Sequence, residues 1–465
     1  MKEDKALWSG RFKNAPEELM KKFGESISVD WIFYKEDIEG NKAHGKMLNK
    51  IGILSDEELV SIIEALEEIQ GEIESGEFLP KESLEDVHMN IEHRLIEKIG
   101  DLGAKIHTGR SRNDQVLTDY RLYLKKEVKV LKGLWATLME TLLKRGKKDV
   151  DVIIPGFTHL MHAQPISLGH YWMAYFWKFQ RDHERLKNAY MSIDTNPLGA
   201  GALAGSTLPL DRQYTMELLG FGKNTENSLD TVSDRDFLLD LQYALSTFMI
   251  HSSGLAEDLI LWNTQEFNYI HLPDGFCTGS SMMPNKKNPD ALELTRGKTS
   301  GVVTGLFSLM MNLKGLPLGY NRDLQEDKKP VLENLENVKM VLSVLAQVIE
   351  GIEINKETVR IHLEKGFLLA TDVAEYLVMK GVPFRKTHGI VGGLVQYGEE
   401  TGKDFKDFSM KEFKTFSSAF DEDVYNLLSF ENAVNRRNTL GGTAKEQVHH
   451  QIKEGWKILQ QEKKE

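Results

Sequence analysis

The chain has 465 residues, of which 41% are hydrophobic and 28% are charged, a balance typical of a soluble globular protein with a large apolar core. Its formal net charge of −12 lacks the basic excess that neutralises phosphates, so we expect no nucleic-acid partner. No apolar run approaches the roughly 18 residues of a membrane span, and the N-terminus has no apolar signal-peptide core. The single cysteine, Cys277, cannot form an internal disulfide, and we therefore expect a cytoplasmic protein without membrane contact.

The predicted elements are almost all helices. Ser55 and Glu58 form a capping box ahead of apolar residues spaced three and four apart, which predicts a helix after Ser55. Five longer helices follow, each of about 20 to 35 residues against an average near 11 or 12. They are predicted at 116–145, 168–191, 230–265, 290–313 and 330–350. Amphipathic helices this long bury their apolar stripes only in a bundle, so the predicted fold class is all-α.

Two connections interrupt this pattern. Residues 154–165 hold two prolines and two histidines, with strand-like residues only near 152–154. Residues 271–289 form a loop of about 19 residues, a length usually found in functional loops. After Asn355, a predicted N-cap, the helices shorten. We expect three domains: an N-terminal helical domain (1–108), a central long-helix domain carrying the loop (109–361) and a small C-terminal helical domain (362–465).

The long loop reads GSSMMPNKKNP from Gly279 to Pro289. Small residues at its start leave backbone N–H groups free to bind an anion. Lys286 and Asn288 add the charge and the donors that an oxyanion or carbanion intermediate requires. Taken alone, however, this composition favours a flexible, solvated surface loop.

The same segment resembles the signature loop of the fumarase/aspartase superfamily, and every fixed position of that loop is present. Two further blocks, HTGRSRNDQV from His107 and GFTHLMHAQP from Gly156, are similar to blocks of the argininosuccinate lyase family. Many members of that family have Gln-Arg where this chain has Met161 and His162, and glutamine where it has Asn285. The segments EDVH at 85–88 and YNRDLQ at 320–325 extend the resemblance.

The resemblance implies β-elimination of argininosuccinate to arginine and fumarate through an aci-carboxylate intermediate, with no cofactor and no metal. Ser281 would abstract the proton, and Lys286 with Asn288 would hold the intermediate. His159 would protonate the leaving nitrogen, with Glu293 as its carboxylate partner. Within the superfamily, the acid and base roles of Ser281 and His159 have been assigned both ways, so the sequence leaves them open.

The resemblance also implies a set of substrate-binding residues and a three-domain homotetramer with a long central helical bundle, whose active sites combine residues of three subunits. Gln325 and Lys328 suit the arginine end of the substrate, Asn113 and Thr158 a carboxylate, and Arg112 a succinyl carboxylate. The complete set is Ser26, His88, Arg112, Asn113, Thr158, Tyr320, Gln325 and Lys328.

Three alternatives fit the sequence less well than this interpretation. Another lyase of the superfamily, acting on adenylosuccinate, aspartate or fumarate, would share the loop but not the other blocks. A structural protein like the related lens crystallins would have no use for Ser281 or His159. A metal site is not predicted, because His88, Glu92 and His93 are spaced one residue too widely for an inverted zinc-protease motif.

Overall fold

The computed structural model describes residues 17–462, and helices make up most of this range. No described helix is both long and apolar enough to cross a membrane. The helices are α1 (Glu18–Gly24), α2 (Ile27–Asp30), α3 (Tyr34–Lys50), α4 (Asp56–Ser75), α5 (Val87–Ile99), α6 (Asp101–Ala104), α7 (Arg112–Lys148), α8 (Leu168–Ile193), α9 (Arg212–Leu218), α10 (Ser228–Ser233), α11 (Asp236–Asn263), α12 (Asp290–Leu313), α13 (Lys328–Gly351), α14 (Lys356–Leu363), α15 (Ala370–Met379), α16 (Phe384–Thr401), α17 (Met410–Phe416), α18 (Phe430–Arg436) and α19 (Lys445–Glu462).

The strands are short and lie in three separate two-stranded pairs within the described range. The pair β1–β2 and the pair β5–β6 are antiparallel, and the pair β3–β4 is parallel. The strands are β1 (Ile153–Thr158), β2 (Met161–Ser167), β3 (Thr195–Asn196), β4 (Lys223–Asn224), β5 (Ile270–His271) and β6 (Glu353–Ile354). The predicted all-α fold class is therefore confirmed.

Several helix ends are set by local capping residues. The Ser55 side chain accepts a hydrogen bond from the Glu58 N–H, and the Glu58 side chain accepts one from the Ser55 N–H, so the capping box at α4 is confirmed. Asn355 likewise caps α14 by accepting from the Thr358 N–H.

The prediction of one helix over 230–265 is wrong, because the chain breaks between α10 and α11. Asp234 leaves the helical conformation, with ψ at 131°, and its carboxylate accepts the Asp236 N–H at 2.7 Å. The same carboxylate accepts a hydrogen bond from the buried Arg121 at 2.6 Å. The break therefore provides both a cap for α11 and a partner for a buried guanidinium.

The chain folds into two compact units. The first contains residues up to Lys132, His183–Thr247 and Ser300–Val338; the second contains Gly133–Asp182, Phe248–Thr299 and the chain from Lys339 onward. Every boundary falls inside one of the five long helices α7, α8, α11, α12 and α13. The three-domain division at residues 108 and 361 stays a prediction.

Each unit contains its own apolar core. In the first unit, α3, α4 and α5 bury a cluster that includes Leu48, Ile62, Leu66, Ile91 and Leu95. Removal of this apolar area from water stabilises the unit by about 25 cal/mol per Å².

The second unit has an aromatic-rich core and carries the β1–β2 hairpin. Its core includes Leu377, Phe405 and Phe413. The hairpin went largely unpredicted because prolines, which lack an N–H, weaken a strand pattern. Here Pro155 and Pro165 lie opposite one another, next to a register shift between Pro155 and Phe157.

Candidate active site

Seven of the eight predicted substrate-binding residues line one cleft of about 170 Å³ in the first unit. They come from the start of α2, the start of α5, the first turn of α7 and the segment leading into α13. The seven are Ser26, His88, Arg112, Asn113, Tyr320, Gln325 and Lys328. The lining is completed by Asp30, Glu85, Asp86, Val116 and Arg322. Sequence reasoning missed these five as site residues, although all except Asp30 stand inside the matched blocks.

Backbone hydrogen bonds hold the walls of the cleft together. The N–H groups of Ser26 and Ile27 both donate to the Glu85 carbonyl, at 2.9 and 3.0 Å. Gln325 Nε2 donates to the Glu25 carbonyl at 2.9 Å, which ties the segment before α13 to the start of α2. Glu85 itself adopts a positive φ of 66°, a backbone conformation that residues other than glycine rarely take and that marks a constrained position.

The cleft combines charges of both signs. Arg112 lies 3.2 Å from the Asp86 carboxylate, and Arg322 lies 2.7 Å from that of Glu85. Lys328 is buried and pairs with Asp327 at 3.1 Å. A mixed set of this kind can bind a ligand that carries carboxylates and an amino or guanidinium group together.

Asp30 is a buried carboxyl group of the lining. It accepts hydrogen bonds from Ser26 Oγ at 2.5 Å and from the Val87 N–H at 3.1 Å. Burial, helped by the nearby charge of Asp86, raises the pKa of Asp30 to about 6, while the charge of His88 opposes this shift. The charge of the cleft therefore changes near pH 6.

Asp114, next to the cleft residue Asn113, organises the backbone behind it. Its carboxylate accepts the Ser111 N–H at 2.9 Å and the N–H groups of Gly199 and Gly201 at 3.0 and 2.9 Å. Both glycines have positive φ values. The glycine-rich segment is thus a turn held by Asp114. This aspartate of the matched block therefore has a structural role in stabilising the backbone.

Thr158 and His159 lie in the second unit, at the tip of the β1–β2 hairpin. Thr158 is paired with Met161, so His159 and Leu160 form a two-residue turn with φ values of 55° and 60°. Turns with two positive φ values favour asparagine and glycine, and other residues are disfavoured by about 1 kcal/mol each. His159 is therefore held, exposed, in a strained turn.

The signature loop also belongs to the second unit and is closed at its base. Thr278 and Asn288 exchange two backbone hydrogen bonds, at 3.2 and 2.8 Å. Lys287 Nζ donates to the Leu272 carbonyl at 2.7 Å and to Asp274 at 2.5 Å, so this lysine anchors the loop. Lys286 is exposed and forms no ion pair with any residue between 17 and 462.

The remaining predicted catalytic residues are accessible in the single chain. Ser281 is exposed at the tip of the loop, and Asn288 is half-buried at its base. Glu293 follows in the first turn of α12, where Arg296 lies 3.9 Å away. The structure thus gathers the binding residues in the cleft of the first unit, and it places Thr158, His159, Ser281, Lys286, Asn288 and Glu293 on exposed segments of the second.

Among the described residues, Asp37, His88 and Asp119 are the group whose nitrogen and carboxylate oxygens lie close enough to hold an ion, all within 4.8 Å of one another. However, His88 Nδ1 lies 2.7 Å from Asp37 Oδ1, which is a hydrogen-bond distance. Two ligands at about 2.1 Å from one tetrahedral ion would be roughly 3.4 Å apart. The contact is therefore a hydrogen bond, closer than two ligands of a tetrahedral ion would lie.

Comparison with known proteins identifies the family. A family model described as a lyase matches residues 10–305, and one described as the argininosuccinate lyase C-terminal region matches residues 367–435. Argininosuccinate lyase from Syntrophus aciditrophicus is 48% identical over 447 residues, which cover 96% of this chain and 95% of the relative. The chain belongs to the argininosuccinate lyase family.

Solved structures show the same fold. An EDDS lyase variant with bound fumarate superposes with a TM-score of 0.84 at 26% sequence identity, and the match covers 93% of this chain and 87% of the EDDS lyase chain. A class II fumarase from Schistosoma mansoni superposes with a TM-score of 0.72 at 19% identity, covering 84% and 90%. The superfamily fold expected from the signature loop and the family expected from the two further blocks are thus confirmed.

Proposed function

We propose that this member of the family is a carbon–nitrogen lyase that cleaves argininosuccinate to arginine and fumarate by β-elimination. The observation that carries the proposal is the cleft of mixed charge in the first unit. It collects seven residues that stand where the family's substrate-binding residues stand, from parts of the chain up to 300 positions apart. A solved relative at 26% identity holds fumarate, one of the two expected products.

The cleft suits the polar groups of argininosuccinate. Gln325 Nε2 donates a hydrogen bond to the Glu25 carbonyl, which fixes the orientation of the Gln325 amide. We assign Gln325 and Lys328 to the arginine end of the substrate. Arg112 offers a planar fork for a succinyl carboxylate, and Asn113 is assigned to a second carboxylate together with Thr158. Above its pKa of about 6, Asp30 supplies an anionic partner for an ammonium group.

The proposed chemistry needs a base, an anion stabiliser and an acid. Ser281 removes a proton from the carbon next to a succinyl carboxylate, and the electron pair is held as the aci-carboxylate. Lys286 and Asn288 stabilise that dianionic group. The electron pair then returns to form the carbon–carbon double bond of fumarate as the carbon–nitrogen bond breaks. His159, oriented by Glu293, delivers a proton to the departing guanidinium nitrogen.

A serine hydroxyl is a weak base, so this assignment requires Lys286 and backbone N–H groups to stabilise the alkoxide. Lys286 is available for that role, since Lys287 takes the structural contacts of the loop. The step needs no resident cofactor or metal in this proposal.

We further propose a homotetramer whose active sites combine segments of several subunits. The support is exposed apolar surface on a long helix of the single chain: Phe307 and Met311, one turn apart on α12, are 61% and 64% exposed. Large exposed apolar side chains of this kind mark surfaces that another protein covers. The accessible positions of Ser281 and His159 agree with completion of the site by further copies. With one free cysteine, the assembly suits the reducing cytoplasm.

The test is release of fumarate, followed by the ultraviolet absorbance of its conjugated double bond. The chelator-treated protein is mixed with argininosuccinate, adenylosuccinate, aspartate or malate, with Ser281→Ala as the control. A signal with argininosuccinate alone, lost in the variant, supports the proposal. A signal with another substrate would keep the chemistry and overturn the substrate. No signal with any of the four from a folded protein would refute the activity.

A further inference from the structure

His88 lies between the cleft and a buried pair of acids. Its imidazole is 3% exposed and lines the cleft. On the inner side, Nδ1 lies 2.7 Å from Asp37 Oδ1 and 3.2 Å from Asp119 Oδ2. The other ring nitrogen, Nε2, is buried and meets no hydrogen-bond partner among residues 17–462. A buried polar atom without a partner is costly unless a ligand or water satisfies it, so Nε2 is the atom through which His88 can bind a ligand in the cleft.

The two acids that face Nδ1 have very different surroundings. Asp37 accepts three hydrogen bonds: from His88 Nδ1, from Gln115 Nε2 at 2.6 Å and from Asn41 Nδ2 at 2.8 Å. Asp119 is equally buried, but among residues 17–462 its carboxylate has one such neighbour, His88 Nδ1 at 3.2 Å, against the three hydrogen bonds of Asp37. Of two buried carboxylates that share one donor, the one that accepts fewer hydrogen bonds is the easier to protonate.

Other charged groups do not change this asymmetry. Arg110, whose charge helps to lower the pKa of Asp37, donates to Asn41 Oδ1 at 2.6 Å and, within residues 17–462, gives no hydrogen bond to Asp119. The further titratable groups whose charges act on His88, Asp37 or their neighbours are Asp30, Asp86, Glu92, His107 and Lys328. Among them, the acids Asp30 and Asp86 favour a positive charge on the imidazole.

We propose that Asp119 holds a proton and Asp37 is ionised, so that His88 is a permanent imidazolium that presents Nε2–H to a carboxylate of the substrate. Asp37 and Asp119 are positioning residues, because they act through His88 and do not touch the ligand. This proposal rests on the proposed function for the nature of the ligand. It adds the charge state of the cleft and two residues that no motif indicated.

The pKa shifts agree in direction. Burial alone would lower the pKa of His88, but its interactions with Asp119 and Asp37 raise it well above its usual value. Burial and the charge of Asp37 raise the pKa of Asp119 far above the usual range of a carboxyl group. For Asp37, burial is outweighed by the hydrogen bond and charge of His88, and its pKa is lowered.

The deciding experiment is solid-state ¹⁵N NMR of protein with ring-labelled histidine at pH 8.5, compared across the wild type, His88→Asn, Asp37→Asn and Asp119→Asn. We expect an imidazolium signal that is lost in His88→Asn, becomes neutral in Asp37→Asn and persists in Asp119→Asn. The amide in Asp119→Asn replaces a carboxyl group that is already neutral, whereas Asp37→Asn removes the charge that retains the proton.

The same variants separate this proposal from the proposed function. At pH 8, we expect the KM for argininosuccinate in Asp37→Asn to exceed that in Asp119→Asn by about tenfold, with the effect larger on KM than on kcat. If the wild type releases no fumarate, the proposed function is refuted, but the NMR signals still show whether His88 is an imidazolium. Loss of only neutral signals in His88→Asn, or loss of the imidazolium in Asp119→Asn, would overturn the proposal. If Asp37→Asn does not fold, the other two variants decide it.

Discussion

Asp30 provides a quantitative prediction, because the structure indicates that this carboxylate destabilises the fold while serving the cleft. Its pKa is about 6 in the folded chain against 3.8 for an unperturbed aspartate, a difference of about 2 units. At about 1.4 kcal/mol per unit, ionised Asp30 costs the folded state about 3 kcal/mol. The sign follows from linkage: the folded chain binds this proton more tightly, so stability decreases as the pH rises from about 4 to about 6 and stays lower above.

The variant Asp30→Asn removes the charge and keeps an oxygen to accept the Val87 N–H. We therefore expect its free energy of unfolding to exceed that of the wild type by about 3 kcal/mol at pH 7.5 and by less than about 1 kcal/mol at pH 4. Denaturant unfolding at both pH values measures this difference. Asp101→Asn, which changes an exposed carboxylate of the same unit, is the matched control and should shift stability by about 0.5 kcal/mol or less.

The same variant should raise the KM for argininosuccinate, since Asp30 lines the cleft. In the wild type, KM should likewise rise as the pH falls below about 6. A variant no more stable than the wild type at pH 7.5, or an advantage that does not shrink in acid, would refute this account of Asp30.

Three further predictions concern other parts of the chain. Ser281→Ala should lower kcat by about 10² to 10⁴ with KM little changed, as measured by fumarate absorbance, because the proton transfer is lost and not the binding. Leu160→Gly should stabilise the protein by about 1 kcal/mol in denaturant unfolding, because Leu160 is 73% exposed at φ 60°; Met161→Gly, one position later in β2, should not. Arg235→Met should cost about 3 kcal/mol in denaturant unfolding, because the buried Asp327 loses its guanidinium partner and keeps only the ion pair with Lys328; the double variant with Asp327→Leu should recover none of this loss, because Lys328 then loses its buried partner as well.

The sequence predicted much of the fold, because long amphipathic helices leave a clear periodic pattern. It predicted the family because the signature loop and the matched blocks are contiguous in the chain. It did not reveal the hairpin that carries His159, since prolines mask its strands and its turn lacks asparagine and glycine. The break at Asp234 was missed because its cause, a pairing with Arg121, spans 113 positions.

The lining of the cleft was predicted in part for a similar reason. Residues inside matched blocks could be found, but Asp30 stands outside them and is placed by contacts with Ser26 and the backbone of Val87. Asp37 and Asp119 carried no signal either, because a buried aspartate is recognisable only from what surrounds it. Charge states in the cleft depend on distances between segments far apart in the chain.

The five boundaries inside the long helices also have a consequence for synthesis. A ribosome that has released residue 132 has produced only the first of three pieces of the first unit, which cannot be completed before residue 338 has emerged. The second unit cannot be completed before the segment that begins at Lys339 has been made. Until α12 and α13 have been made, α11 lacks its contacts with both helices, and apolar surface exposed in this way is prone to aggregate. No single contiguous fragment of the gene can therefore encode either unit.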